Sequence, residues 1–386
     1  MYTLEPHAPA PLSILLVITE LDPGGAEKCI CDLAIYLAAR GHRVKLLTLG
    51  PKPIGARAKL IDRLQAAAVP TEFGGAQRIA DLPRIVQWLK REISGFRPNV
   101  IQSMLWHANV TCAVAVRSKA VSLVGGVRVS DPSRLRSWIQ GMLSRRFKKF
   151  VCVSRDVANR CIQRERIPNG KLVVIPNGIE LQSIDQRAPD WTQLGLPRDA
   201  RVLLMLGRLE QQKGCRELLH HADEILSQLD DYFLVLMGQG SQEAQLKSIA
   251  TQCKHRSRIH FVGWQPEAAS WLASSRLLLL PAFYEGMPNV LLEAMERARP
   301  FVAFGVDGVR ELVEGGSGEL ADFQIASAGD WEALITKVVH LAHSEELQSR
   351  IGQLNREQIA KRFQLVDQLA QYESLYRALT RTSAST

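Results

Sequence analysis

Pro281-Ala282-Phe283-Tyr284-Glu285-Gly286-Met287-Pro288-Asn289-Val290-Leu291-Leu292-Glu293-Ala294 joins an apolar run to a helical pattern. Just before it, Arg276-Leu277-Leu278-Leu279-Leu280 has the length and composition of a buried strand. Just after Pro288, the residues Val290, Leu291, Ala294 and Met295 fall on one face of a helix. The reading is strand, turn, helix, with the helix entered at Pro288-Asn289. Proline is tolerated there because the first N–H groups of a helix have no internal partner. Those free N–H groups favour an anion, and Gly286 permits close approach to the backbone. Glu285 and Glu293 frame the turn with acceptors. Amide donors beside two carboxylates suit a ligand that carries both phosphates and hydroxyls, as a nucleotide sugar does. A capped surface helix with two solvated carboxylates has the same spacing.

Working outward, strand and helix patterns alternate along both halves. Val202–Leu206 reads as a strand, followed by Gly207-Arg208-Leu209-Glu210-Gln211-Gln212-Lys213-Gly214 and a helix through Gln228. Arg208 and Lys213 flank a glycine-bounded turn at a helix entry, which suits a diphosphate without a metal and is equally what two exposed basic residues look like. Phe233–Met237 is a strand ending at Gly238, and Ile259–Val262 one closed by Gly263. A helix over 266–273 precedes the signature, Phe301–Phe304 is the last clear strand, and helices over 330–362 and 364–381 end the chain. In the first half, Ser13–Thr19 runs into a loop with Gly24-Gly25 at a helix start, a turn that serves a phosphate or the backbone alone. The spacing Gly-x-Gly-x-x-Gly is absent, which argues against a nicotinamide cofactor. Val100–Ser103 leads to Met104-Leu105-Trp106-His107, so His107 lies where open α/β sheets place ligands; a structural histidine fits that position too.

Three stretches together resemble the GT4 family of retaining glycosyltransferases: Glu285-Gly286-x-Pro288 followed by Glu293-Ala294, Gly207-Arg208 with Lys213-Gly214, and Val174-Ile175-Pro176-Asn177-Gly178. The resemblance covers nearly the whole chain, with its specific motifs mainly in the second half. It implies a GT-B architecture: two Rossmann-like, doubly wound α/β domains facing across a cleft. The expected division is residues 1–180 for the acceptor and 181–363 for the nucleotide-sugar donor, with a linker near 181–200. A terminal helix in 364–386 returns toward the first domain. By the same resemblance Arg208 and Lys213 clamp the pyrophosphate, Glu285 contacts the donor sugar, and Glu293 contacts the ribose. Gly286, Met287, Pro288, Asn289 and Val290 present the helix start to the donor. Gly238 and Gly263 border the nucleoside, Gly24-Gly25 face the phosphate, and His107 contacts the sugar or its β-phosphate. The implied catalytic set is Glu285, His107, Arg208 and Lys213. The implied reaction is front-face transfer from a UDP- or GDP-sugar to a glycan or lipid-linked acceptor in envelope polysaccharide synthesis. Competing readings are a GT-B-like nucleotide-sugar epimerase, a phosphorylase, and a non-catalytic sugar-nucleotide binder. No Asp-x-Asp pair ends a strand, so no metal and no cofactor are expected.

The bulk numbers are those of a soluble two-domain enzyme: 386 residues, 46% hydrophobic and 23% charged. Seven scattered cysteines, none in a Cys-x-x-Cys pair, suggest reduced thiols in a cytoplasm. The first residues lack a basic region and a long apolar core, and no apolar run is of membrane-spanning length. Charge is uneven. Residues 1–180 carry 27 Lys and Arg against 13 Asp and Glu, a balance of +14, while the remainder stands at −5, within a total of +9. Arg134, Arg136, Arg145, Arg146, Lys148 and Lys149 concentrate it, and Leu135, Trp138, Ile139, Met142 and Leu143 recur among them at helical spacing. The plainer expectation is a helix with its apolar side on the core and a solvated basic face. The sharper one is peripheral contact with the inner face of an anionic membrane. No motif supports nucleic-acid binding.

Overall fold

Apolar runs such as Ile14–Ile18 and Leu277–Leu280 have nothing polar to show on either face, and the computed structural model buries both faces of each. Strands of that kind belong to parallel sheets covered by helices on both sides. The structure describes residues 10–118, 120–182, 190–265, 268–316 and 318–381. The first residues read for a targeting signal, part of the expected linker, and the start of the expected helix over 266–273 lie outside these.

The first sheet contains β1 (Ser13–Ile18), β2 (Arg43–Thr48), β3 (Thr71–Phe73), β4 (Val100–Met104), β5 (Ser122–Val127), β6 (Lys149–Cys152) and β7 (Leu172–Val174), in the order β3-β2-β1-β4-β5-β6-β7. The second contains β8 (Arg201–Leu206), β9 (Tyr232–Met237), β10 (Ile259–Gly263), β11 (Leu277–Leu280), β12 (Phe301–Phe304) and β13 (Ile325–Ala326), in the order β10-β9-β8-β11-β12-β13. All described strand pairs are parallel. The chain reverses its direction of growth between β1 and β4, and again between β8 and β11. Open α/β sheets hold ligands beyond the carboxyl ends of strands at such points.

Two compact units result, one of residues 1–175 with 367–386, the other of residues 176–366. The segments entering and leaving the second unit run side by side. Ile179 N donates to Phe363 O at 2.8 Å, and Leu365 N to Ile179 O at 3.1 Å. A Cβ on Gly178 would come within 2.6 Å of Gln364 O and 2.7 Å of Leu365 Cα, so only glycine fits.

The helix Leu365–Arg381 completes the first unit. Its Tyr376 Oη donates to Gln102 Oε1 at 3.0 Å, and Tyr372 and Tyr376 are fully buried. One turn away, Glu373 accepts from Tyr36 Oη at 3.2 Å, Arg40 Nε at 3.3 Å and Arg377 Nη2 at 2.7 Å, and faces His42 Nε2 at 3.2 Å. Burial disfavours the Glu373 carboxylate, but the bonds from Arg377 and His42 outweigh it and hold the carboxyl below its ordinary value.

Several expectations are corrected. Ile325–Ala326 adds a strand after Phe301–Phe304, too short to show a pattern. The helix expected through Gln228 breaks at His221 into Cys215–His220 and Ala222–Leu226. Within the expected linker, Trp191–Leu194 is a packed turn whose buried Trp191 lies 4.9 Å from the Trp271 ring. The largest correction concerns the helix Arg134–Leu143. Its buried residues are the polar Ser137 and Gln140, whereas Leu135, Trp138 and Met142 are exposed. Gln140 Nε2 donates to Glu165 Oε2 at 2.7 Å, and Asn109 Nδ2 to Gln140 Oε1 at 3.3 Å. Periodicity locates an apolar face but does not say which side of the helix the protein covers.

Candidate active site

In the second unit the chemistry gathers on the two loops that flank the reversal between β8 and β11. After β8 the backbone passes Gly207, which donates to Met237 O at 3.1 Å, and Gly238 donates to Gly263 O at 2.8 Å. The glycines closing β8, β9 and β10 are therefore linked in a row. A Cβ on Gly238, at φ +144°, would sit 1.9 Å from Gly207 O. Gly214 has φ +69°, and its Cβ would meet Pro281 O at 2.0 Å. That close approach ties the loop after β8 to the loop after β11.

Hydrogen bonds complete the join. Phe283 N donates to Gln212 O at 2.9 Å, and Gln212 Nε2 to Tyr284 O at 2.8 Å. Lys213 Nζ meets Glu285 Oε1 at 2.5 Å, with side-chain exposures of 14% and 6%. Arg208, by contrast, is exposed. The helix Asn289–Glu296 starts at Pro288, whose side chain makes no capping hydrogen bond. Met287 is buried, and Asn289, Val290 and Glu293 are half-buried on its first two turns. From the loop after β12, Gly308 at φ +75° packs against Gly286, where a Cβ would lie 1.7 Å from Gly286 O.

Asn177 holds this helix start from below. Its Nδ2 donates to Met287 O at 2.9 Å and to Asn289 Oδ1 at 2.7 Å, and its N–H to Met287 Sδ at 3.3 Å. Asn177 and Gln212 were assigned no site role from sequence, although both lie in stretches that carry the family resemblance. Their partners are 110 and 72 residues away.

In the first unit, Gly24 caps the helix Gly25–Ala39 after β1, and His107 lies in the first turn of the helix Trp106–Ala115 after β4. The two loops border the reversal between β1 and β4. Glu27 packs so tightly on Gly24 that a Cβ there would be 2.3 Å from Glu27 Oε2. Leu105, just before His107, has φ +75° and ψ 158°, a conformation that costs about 1–3 kcal/mol and clusters at functional sites. His107 is exposed and stands edge-on to Trp106 at 5.0 Å. Partial desolvation, then the nearby Arg136 guanidinium, lowers its basicity, offset in part by Asp131. Among the described residues no cluster of three His, Cys, Asp or Glu could hold a metal ion.

Two parallel α/β units, with cationic and acidic groups gathered at a sheet reversal, define a GT-B glycosyltransferase. The model of the glycosyl transferases group 1 matches residues 200–344, and that of glycosyltransferase family 4 matches residues 23–183. The chain belongs to the GT4 glycosyltransferases. It is 26% identical over 336 residues to the Escherichia coli UDP-Gal:alpha-D-GlcNAc-diphosphoundecaprenol alpha-1,3-galactosyltransferase, covering 82% of this chain and 84% of that one. It is 28% identical over 344 residues to the phosphatidyl-myo-inositol mannosyltransferase of Mycobacterium leprae, covering 85% and 86%. Among solved structures, Anabaena HepE in complex with UDP-glucose superposes with a TM-score of 0.79 at 21% identity, over 97% of this chain and 99% of that one.

Proposed function

We propose that this transferase is retaining and independent of metal, and moves a sugar from a UDP-sugar to a glycan or lipid-linked acceptor during assembly of envelope polysaccharide. The observation that carries the reading is the Lys213–Glu285 pair, held on two stitched loops beside the start of the helix Asn289–Glu296. An ammonium has three donors. Lys213 can keep Glu285 while giving a hydrogen bond to a phosphate oxygen. Exposed Arg208 supplies a second cation, and the N–H groups near Asn289 supply fixed dipoles. Glu285 would accept from a sugar hydroxyl and Glu293 from the ribose, with Gly238 and Gly263 beside the nucleoside. In the first unit, Gly24-Gly25 would face the phosphate, and His107, neutral near pH 7, the sugar.

In the step itself the bond from the anomeric carbon to the β-phosphate oxygen breaks, and its electron pair goes to the diphosphate. The acceptor oxygen bonds to that carbon on the face the diphosphate leaves. The acceptor proton passes to the departing phosphate oxygen. Arg208, Lys213 and the helix-start amides stabilise the growing charge, the work a divalent ion does in other transferases. A UDP donor is favoured because the E. coli relative is named for UDP-Gal and HepE is seen with UDP-glucose. The first unit would hold the acceptor, and its basic surface favours an anionic one. Among the described residues no helix is long and apolar enough to cross a membrane, so contact with a membrane holding a lipid-linked acceptor would be peripheral.

The test is a mass-spectrometric screen of purified protein against UDP-, GDP- and ADP-sugars with lipid-diphosphate and glycan acceptors. NMR of the product's anomeric proton then reads the stereochemistry. Transfer from a UDP-sugar with retention is expected; inversion, or transfer from GDP-sugars alone, would overturn the reading.

A further inference from the structure

The helix Arg134–Leu143 is folded with its polar side inward. Ser133 caps it, accepting from Arg136 N at 3.3 Å. Gln140 is bonded to Glu165 and Asn109, and a Cβ on Gly141 would sit 2.2 Å from Glu165 O. Trp106 Nε1 donates to Arg136 O at 3.0 Å, and the Arg136 guanidinium pairs with Asp131 at 2.7 Å. The helix is thus pinned from several sides in one rotation about its axis. That rotation turns Leu135, Trp138 and Met142 to solvent, at 66%, 63% and 57% exposure. The three lie at i, i+3 and i+7, one continuous stripe.

Exposed cations stand along the stripe: Arg134 at its start, Arg145 and Arg146 in the next turn, and Lys148 beyond. Residues 132–150 contain no Asp or Glu. Among the described residues no carboxylate pairs with any of these four cations. We infer that this stripe and its basic surround form a docking face for an anionic lipid surface, with Leu135, Trp138 and Met142 entering the headgroup–acyl boundary and the cations meeting lipid phosphates. Charge decides the occupant. A bilayer interface accepts apolar groups and offers anions in one plane. A second copy pairing face to face would bring the same arginines against each other. The inference deepens the reading of a peripheral transferase and rests on it for its purpose.

The experiment uses the full chain and needs no catalysis. The wild-type protein and a Leu135→Ser/Trp138→Ser/Met142→Ser variant are sedimented with phosphatidylglycerol–phosphatidylcholine vesicles and with phosphatidylcholine vesicles, at low and high salt. Wild type is expected to bind the anionic vesicles at low salt, and the variant to lose roughly tenfold or more in partitioning, with an unchanged melting profile. Lipids brominated on the acyl chain should quench wild-type tryptophan emission, and Trp138→Phe should remove that quenching. Equal sedimentation of wild type and variant, or no binding by wild type, would overturn the inference. So would concentration-dependent self-association that the variant abolishes without any vesicle binding. UDP binding, measured in parallel, reports on the transferase reading separately.

Discussion

Removing either cation of the proposed phosphate site should cut turnover, but only one removal should cost stability. Lys213 is largely buried against an almost fully buried Glu285. Lys213→Ala leaves that carboxylate uncompensated, and breaking a buried pair in this way costs about 3–5 kcal/mol of stability. Lys213→Met with Glu285→Gln removes both charges and should recover most of the loss. Arg208 is exposed, and Arg208→Ala should stay within about 0.5 kcal/mol of wild type. Catalysis sorts the variants differently. If both side chains meet the departing diphosphate, each truncation removes about 2–4 kcal/mol of transition-state stabilisation. At 1.36 kcal/mol per tenfold, that is roughly 30- to 1,000-fold in kcat/KM. The assay is UDP release at saturating acceptor, run beside urea unfolding of each variant. Turnover within threefold of wild type for both single variants would refute the phosphate assignment. A stability loss for Arg208→Ala as large as that for Lys213→Ala would refute the structural account of the pair.

Activity should persist in excess EDTA; loss of turnover that Mn²⁺ or Mg²⁺ restores would contradict metal-independent transfer. Asn177→Ala removes two hydrogen bonds that set the start of the helix Asn289–Glu296 and should cost about 1–3 kcal/mol of stability; calorimetry should also show weaker UDP binding, and unchanged affinity would deny Asn177 a positioning role. Acid should loosen the first unit through His42, whose Nδ1 accepts from Leu12 N at 3.0 Å and cannot take a proton without losing that bond. Burial first, then Arg377 and Arg40, hold His42 below its ordinary 6.5 despite Glu373. The unfolded chain therefore protonates first, and the stability His42 contributes is full above about pH 6.5 and drains below it. The Glu373 contribution, on a carboxyl held below 4.5, is lost only at lower pH. Wild type should melt at a lower temperature at about pH 5.5 than at about pH 7.5; His42→Gln should fall less over the same step, and an equal fall would rule His42 out.

Much of the fold was legible because its signals are local. Leu277–Leu280 is short, apolar on both faces and bounded by a turn, and only a covered parallel strand satisfies that. Glycines at 207, 214 and 238 marked the loop ends because the backbone takes φ values there that side chains resist. Arg208, Lys213 and Glu285 stood out as charges at those ends. Their pairing was not legible: Lys213 and Glu285 are 72 residues apart, and nothing local to either names the other. Asn177 and Gln212 carry no charge and act through backbone carbonyls far along the chain, so their work was invisible. Leu105 was hidden for a further reason, since leucine gives no warning of a positive φ. The helix Arg134–Leu143 misled because five apolar residues at helical spacing outweighed the buried Ser137 and Gln140; the bonds of Gln140 with Asn109 and Glu165 set its rotation.

The return of the last helix to the first sheet has a consequence for biosynthesis. A nascent chain emerges in order, yet the first unit needs residues beyond Val366 to be whole. Its seven strands are made well before the helix that buries Tyr372 and Tyr376 against them. At about 5–20 residues per second, the intervening unit takes roughly 10–40 s to synthesise. Through that interval the apolar slot filled by the two tyrosines stays open, and His42 and Gln102 wait for Glu373 and Tyr376. The second unit can close first, as an insertion whose two ends are already clasped at Ile179 and Phe363. A chain released before Asp367 would carry a finished second unit and an unfinished first, the state most exposed to chaperones and proteases.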